Sequence, residues 1–261
     1  MKYAIILISI LFLTTSCSSI VNLLAKKKSP VSRNSTSSPI EYTLWTDLLN
    51  KHVKDNGRVD YKGIIKDSVD FNAFLELVET HHPNEKNWSS DEQLAYWINA
   101  YNAFTVKLIL DNYPVESIKD IKSGVPFINS VWDIDFIEIE GIQYSLGNIE
   151  HGIIRKNFDE PKIHFAVNCA SVSCPNLINE AYSPKKLDAQ LTQVAKDFLY
   201  NTSKNNLDGE KLEISKIFNW YKSDFVKNGS VPEYIQQFVK EDVASKNISY
   251  LDYDWNLNDV E

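Results

Sequence analysis

Residues 93–112 constrain the fold more than any other stretch of the chain. Ahead of them, Ser89-Ser90-Asp91-Glu92 has the form of a capping box, with Ser89 as the cap and Glu92 three residues on. Tyr113-Pro114 closes the far end, because a residue before proline is pushed out of helical geometry. Between these stops, Leu94, Trp97, Ile98, Tyr101, Thr105 and Leu108 make one face, and Ala95, Val106, Ile109 and Leu110 extend apolar surface most of the way round. A helix apolar on nearly every side has to be covered on every side, which predicts a central helix inside a shell of other elements. Asn99 and Asn102 lie within it. A buried amide without partners costs about 1–3 kcal/mol, so each is expected to brace a neighbouring loop or to serve a site.

The shell is readable in part. Leu44, Trp45, Leu48 and Leu49 predict a helix over 42–53, and Phe71, Phe74, Leu75 and Val78 another over 70–80. Ser145 is a good cap for a helix over 146–157, Ser183-Pro184 starts an amphipathic helix through Phe198, and further helices are expected over 215–225 and from Val231-Pro232. Residues 131–140 alternate, turn at Glu140-Gly141 and return over 142–144, which predicts a hairpin. Residues 163–168 read as a strand, with Ile163, Phe165 and Val167 on one face and His164, Ala166 and Asn168 on the other. Residues 211–214 form a short strand, and 248–255 close the domain. The expected fold is α+β: a helix-rich single domain over 41–261 with a small antiparallel sheet or hairpin.

The N-terminus carries an address. Lys2 precedes a ten-residue apolar run, Ala4 to Leu13, which covers about 15 Å as a helix and is too short to span a bilayer. Residues 1–16 therefore read as a signal peptide. Thr14-Thr15-Ser16-Cys17 resembles the lipobox of bacterial lipoproteins, with Cys17 as the lipid attachment point, although Thr14 stands where an aliphatic residue is usual. Residues 17–40 carry Lys26, Lys27, Lys28 and Arg33 without an acid and read as a flexible basic tether. The remaining 22 basic and 35 acidic residues leave the domain at −13, which argues against nucleic acid as a partner. The expected location is the bacterial cell envelope: the protein is held at a membrane by its lipid, in the outer membrane with the domain in the periplasm.

The chemistry-bearing residues cluster late. Beyond Cys17 the only cysteines are Cys169 and Cys174, in Asn168-Cys169-Ala170-Ser171-Val172-Ser173-Cys174-Pro175. In an oxidising compartment such a pair is expected to close as a structural disulfide. Alternatively, Pro175 opens a helix and Cys174 caps it, where backbone N–H groups lower a thiol pKa. His164 or His151 would then be the base and Asn99 the orienting amide of a thiol acyl-transfer site. A third pattern, zinc on His151, His164, Cys169 and Cys174, has the right residue types but weak spacing, and no cofactor is expected. His52, His81 and His82 read as surface or loop histidines, and the pairs Asp133/Asp135 and Glu138/Glu140 as solvated faces. Phosphate-loop, dinucleotide, Gly-x-Ser-x-Gly and His-Glu-x-x-His patterns do not occur.

Five separated blocks carry a resemblance. They are 95–104, Ser145-Leu-Gly-Asn-Ile-Glu-His151 with Arg155, 164–175, 218–225 and Tyr253-Asp-Trp-Asn-Leu-Asn258. Together, in order, they resemble the family called Domain of Unknown Function 547. The resemblance implies one domain without an assigned activity, with the His151, His164 and Cys169–Cys174 blocks as its distinctive parts. The expected function is a binding or scaffold domain with a Cys169–Cys174 staple. The alternative is a thiol-dependent hydrolase or acyltransferase acting on peptide or cell-wall substrates.

Overall fold

The protein is seen here as a computed structural model, which describes residues 31–32, 34–122 and 130–260. Helix α1 (Thr43–His52) turns Trp45, Leu48 and Leu49 inward. Helix α2 (Tyr61–Lys66) is capped by Asp60, whose carboxylate accepts the Gly63 N–H at 2.7 Å. Helix α3 (Ser68–Glu79) packs Phe71, Phe74, Leu75 and Val78 against α1, and Trp45 stacks on Phe74 with ring centroids 5.2 Å apart. The sequence reading missed α2, because six residues are too few to show a helical period.

Helix α4 (Ser90–Asn112) is the predicted central helix, and every residue from Leu94 to Val106 is buried. Its capping box is present: Ser89 Oγ accepts the Glu92 N–H at 3.3 Å, and the Glu92 carboxylate accepts the Ser89 N–H at 2.7 Å. Strands β1 (Ile137–Ile139) and β2 (Ile142–Tyr144) form the antiparallel hairpin, with Ile137 opposite Tyr144. Glu140 and Gly141 both have positive φ, 46° and 76°, as a two-residue hairpin turn requires. The strand is shorter than the alternation predicts. Residues Val131–Asp133 are a 3-10 turn, because the Asp133 carboxylate captures the Ser130 N–H at 2.9 Å.

Ser145 caps the next helix as predicted, its Oγ accepting the Asn148 N–H at 3.1 Å. The backbone then widens into a π-helical stretch, Asn148–Ile154, and runs on as α5 (Arg155–Asn157). Such π segments recur at functional sites.

The predicted strand over 163–168 is absent. Pro161–Phe165 is a 3-10 turn, and the chain beyond it runs without a partner strand. Asn102 substitutes for that neighbour: its Nδ2 donates to the Ala166 carbonyl at 2.9 Å, and its Oδ1 accepts the Asn168 N–H at 2.8 Å. One side-chain amide thus satisfies the backbone groups that a sheet would have paired.

Helix α6 (Leu187–Leu199) follows a 3-10 turn opened by Pro184. Strand β3 (Leu212–Ile214) is followed by α7 (Ile217–Trp220), α8 (Lys222–Phe225) and α9 (Val231–Gln236). The single helix expected over 215–225 is therefore broken at Tyr221. Strand β4 (Ile248–Tyr250) lies parallel to β3, so the second small sheet is parallel where only antiparallel pairing was expected. The last residues thread back through the domain. Asn258 donates its N–H to the Ala170 carbonyl at 3.1 Å and accepts the Val59 N–H at 2.9 Å.

Two further expectations change. The last residues assigned to the tether belong to the domain: Ser35 Oγ bonds the His82 carbonyl and Glu140 Oε1, both at 2.8 Å, and Ile40 is buried. His52 and His82 are buried, not surface groups, and His82 Nε2 lies 2.7 Å from the Tyr144 hydroxyl. Residues 1–30, including Cys17 and the stretch expected to be a signal peptide, lie outside the described residues. Among the described residues no helix is long and apolar enough to cross a membrane.

Candidate active site

The loop after the 3-10 turn, the π-helical stretch, α7–α8 and the C-terminal segment surround a cleft of about 520 Å³. Cys169, Cys174, His151 and His164 all line it, so four of the five candidate residues come together. Asn99 does not line it. Its Nδ2 donates to the Tyr182 carbonyl at 2.8 Å and its Oδ1 accepts the Tyr182 N–H at 3.0 Å, which makes it a brace for a loop elsewhere.

The thiols sit in a strained loop. Ala170, between Cys169 and Ser171, has φ 58° and is fully buried. A non-glycine residue holds that conformation only where its surroundings enforce it. Here Asn168 Oδ1 accepts the Ala170 N–H at 2.9 Å, and Asn258 takes the Ala170 carbonyl. The disulfide expected from the sequence is not formed: both cysteines are free, with sulfurs 2.8 Å apart. Cys174 caps no helix either, since no helix follows Pro175; the Pro175 carbonyl instead accepts Asn168 Nδ2 at 2.7 Å.

The two thiols are unlike. The Cys174 thiol beside it is the largest influence on Cys169 and lowers its pKa; burial opposes, and the Ser171 and Tyr253 hydroxyls, each 3.4 Å from the sulfur, add to the lowering. Cys174 is buried, and burial together with the neighbouring Cys169 pushes its thiol up. Cys169 is therefore the thiol poised to ionise, and Cys174 the one held protonated beside it.

A polar network forms the opposite side. Asp224, on α8, accepts Arg155 Nε at 2.7 Å and Nη2 at 3.1 Å, and lies 2.7 Å from His164 Nε2. Burial would raise the Asp224 carboxyl, but His164 and Arg155 outweigh it and hold it well below the usual carboxylate range. An ionised carboxylate only accepts, so His164 carries its proton on Nε2 and leaves Nδ1 as a lone pair. That Nδ1 is buried without a hydrogen-bond partner among the described residues. Burial lowers the His164 pKa against the pull of Asp224, so the ring is neutral at pH 7. The ring stacks on Tyr221 at 4.0 Å. His151 Nδ1 lies 2.9 Å from Arg155 Nη1 and must accept there. Neither histidine is hydrogen-bonded to either thiol; the groups face one cleft from different walls.

Glu150 completes the site. Its Oε2 accepts the Tyr101 hydroxyl at 3.0 Å, while Oε1 is buried without a partner among the described residues. Burial would raise its carboxyl, yet His151, the Tyr221 hydroxyl, His164 and Arg155 together hold it below the ordinary value. Asp224, Glu150 and Tyr253 escaped the sequence reading. All three stood in blocks quoted for the resemblance, but 60 residues separate Asp224 from His164 and 84 separate Tyr253 from Cys169, and no spacing rule links such positions. As to zinc, among the described residues no group of three or more His, Cys, Asp or Glu is placed to hold a metal ion.

Fold and site together define a helix-rich α+β domain built around a dithiol cleft. Residues 85–199, less than half of the chain, match the family described as Protein of unknown function, DUF547. The matched span holds Glu150, His151, Arg155, His164 and both cysteines, and ends before Asp224 and Tyr253. No curated protein and no solved structure matches the chain.

Proposed function

We propose that this is a lipid-anchored protein of the bacterial cell envelope whose domain is a thiol-dependent hydrolase or acyltransferase, with Cys169 as nucleophile. The observation that carries the reading is the shared cleft: it holds a thiol of lowered pKa and a neutral His164 whose Nδ1 is free and whose orientation Asp224 sets. These are the parts that thiol acyl transfer uses. In the reading, the Cys169 thiolate attacks an acyl carbonyl and forms a thioester as the bond to the leaving group breaks. The departing group takes a proton from water, and the hydroxide left behind is neutralised by the proton that His164 later releases. His164 Nδ1 then accepts a proton from the water or alcohol that attacks the thioester, and Cys169 is released as thiolate. The basic run in residues 17–40 supports a membrane-side address, because anionic headgroups attract such segments.

A second reading has its own support. Sulfurs 2.8 Å apart need only a small approach and an oxidant to bond, which is the binding or scaffold domain with a staple. The two part on one experiment. The full-length protein is incubated with p-nitrophenyl acetate under reducing and non-reducing conditions, and the adduct is mapped by mass spectrometry. An acetyl group on Cys169, lost in Cys169→Ser, supports the thiol enzyme. No adduct under reducing conditions removes it and leaves the binding domain.

A further inference from the structure

One wall of the cleft is aromatic. Trp220 and Trp255 stack at 5.7 Å, Tyr253 lies 4.8 Å from Trp220 and 4.7 Å from Trp255, and Trp132 meets Trp255 at 5.7 Å. Structural packing alone does not account for these rings: Trp220 is 36% exposed, and the other three are partly exposed. An aromatic wall by itself suits a neutral sugar, an apolar side chain or a cation, and the charges around the cleft decide among them.

Arg155 and Asp224 neutralise one another through two hydrogen bonds. Glu150 makes no ion pair among the described residues, and its Oε1 has no hydrogen-bond partner there. A carboxylate kept ionised, buried and half-satisfied is costly unless something else arrives to meet it. A thiolate on Cys169 would add a second negative charge. The cleft therefore sets a buried carboxylate beside π faces, the combination that binds organic cations. Two of its rings already hold cations from this chain: Lys119 Nζ lies 4.8 Å from the Trp255 centroid, and the Arg155 guanidinium 4.9 Å from that of Tyr221. A neutral sugar could donate a hydroxyl to Glu150 Oε1 but would not add the charge-assisted bond that an ammonium makes there.

We propose that the cleft takes a substrate bearing an ammonium group, with Glu150 Oε1 accepting the ammonium and the wall of Trp132, Trp220, Tyr253 and Trp255 covering its carbon skeleton. This rests on the thiol-site reading only in taking the cleft as the place where substrate sits. Free α-amines and side-chain amines of peptides are ligands of this class.

The test compares two probes of the same shape, phenethylamine and 2-phenylethanol, by tryptophan fluorescence on the full-length protein at pH 7. The ammonium probe is expected to bind tenfold tighter or more, about what one charge-assisted hydrogen bond supplies. Glu150→Gln should bring the two probes level, and Trp220→Ala should weaken both. Equal affinities in the unmutated protein, no binding of either probe, or a preference that survives Glu150→Gln would each overturn the proposal. Should Glu150→Gln not fold, Glu150→Asp, which keeps the charge but withdraws the oxygen, is expected to reduce the preference, and an unchanged preference counts against it. Iodoacetamide labelling of Cys169 on the same sample separates the two readings. An inert thiol with ammonium preference sinks the thiol enzyme alone, and a reactive thiol without preference sinks this inference alone.

Discussion

His164 Nε2 and Asp224 Oδ2 lie 2.7 Å apart, and that contact fixes which ring nitrogen is free. The carboxylate can only accept, so Nδ1 is the basic atom. Asp224→Asn should therefore do more than remove a charge. The amide can present its N–H to Nε2, which drives the proton onto Nδ1 and abolishes the free lone pair. It also leaves Arg155 in a half-buried place without its carboxylate, at a cost of about 2–4 kcal/mol. The expected result is a folded but less stable protein in which acetyl-Cys169 no longer turns over. Pulse-labelling with a thioester-forming acyl donor measures this, and unchanged turnover would remove His164 as the base.

Cys169 should alkylate with iodoacetamide at a pH below the ordinary thiol value of about 8.5, while Cys174 stays unlabelled until the protein unfolds. The largest cause is the Cys174 thiol, so Cys174→Ala should move the labelling midpoint upward. Tyr253→Phe should move it upward by less, since that hydroxyl is one of the weaker donors. A midpoint indifferent to Cys174→Ala would refute the account of the lowered thiol.

Asn99 and Asn102 give a matched pair. Each is a buried amide making two hydrogen bonds to backbone, so alanine at either position should cost about 2–4 kcal/mol in urea denaturation. Only Asn102 grips the segment that carries His164 and Cys169. Asn102→Ala should therefore also slow Cys169 labelling several-fold at fixed pH, and Asn99→Ala should leave the rate alone. Equal effects on labelling would show that the loop is held by something else.

Stability should fall on acidification below about pH 6.5. Burial lowers the folded-state pKa of His82, His151 and His164. A group lowered on folding contributes stability above its unfolded value and loses it as pH falls through the folded one. Asp224 and Glu150 are lowered too and continue the loss at lower pH. Glu79, raised by burial, acts in the opposite direction but is outnumbered by the lowered groups. Urea midpoints measured between pH 8 and pH 5 should therefore decline. A flat profile would mean that these histidines titrate normally in the folded protein.

The local signals in the chain were read well where their cause is local. The Ser89/Glu92 box, the Ser145 cap, the Glu140-Gly141 turn and the proline at the start of the 184 segment all appear where spacing puts them. So does the buried central helix, because a face apolar all round admits no other placement. Residues 163–168 depart from the expected strand because alternation fits a strand but does not by itself make one. A strand also needs a neighbour, and Asn102, more than 60 residues earlier, satisfied the backbone first.

From the sequence by itself come the helix-rich α+β class, the central helix, and the residue types of the site, Cys169, Cys174, His151 and His164, because capping, periodicity and side-chain chemistry act within a few residues. Tertiary structure alone decided which thiol is lowered, which histidine nitrogen is free, and that Asp224 rather than Asn99 orients His164. Those properties depend on burial and on contacts between groups 60 to 84 residues apart, such as His164 with Asp224 and Cys169 with Tyr253. A one-dimensional pattern carries no distance between such residues, and electrostatics is set by distance.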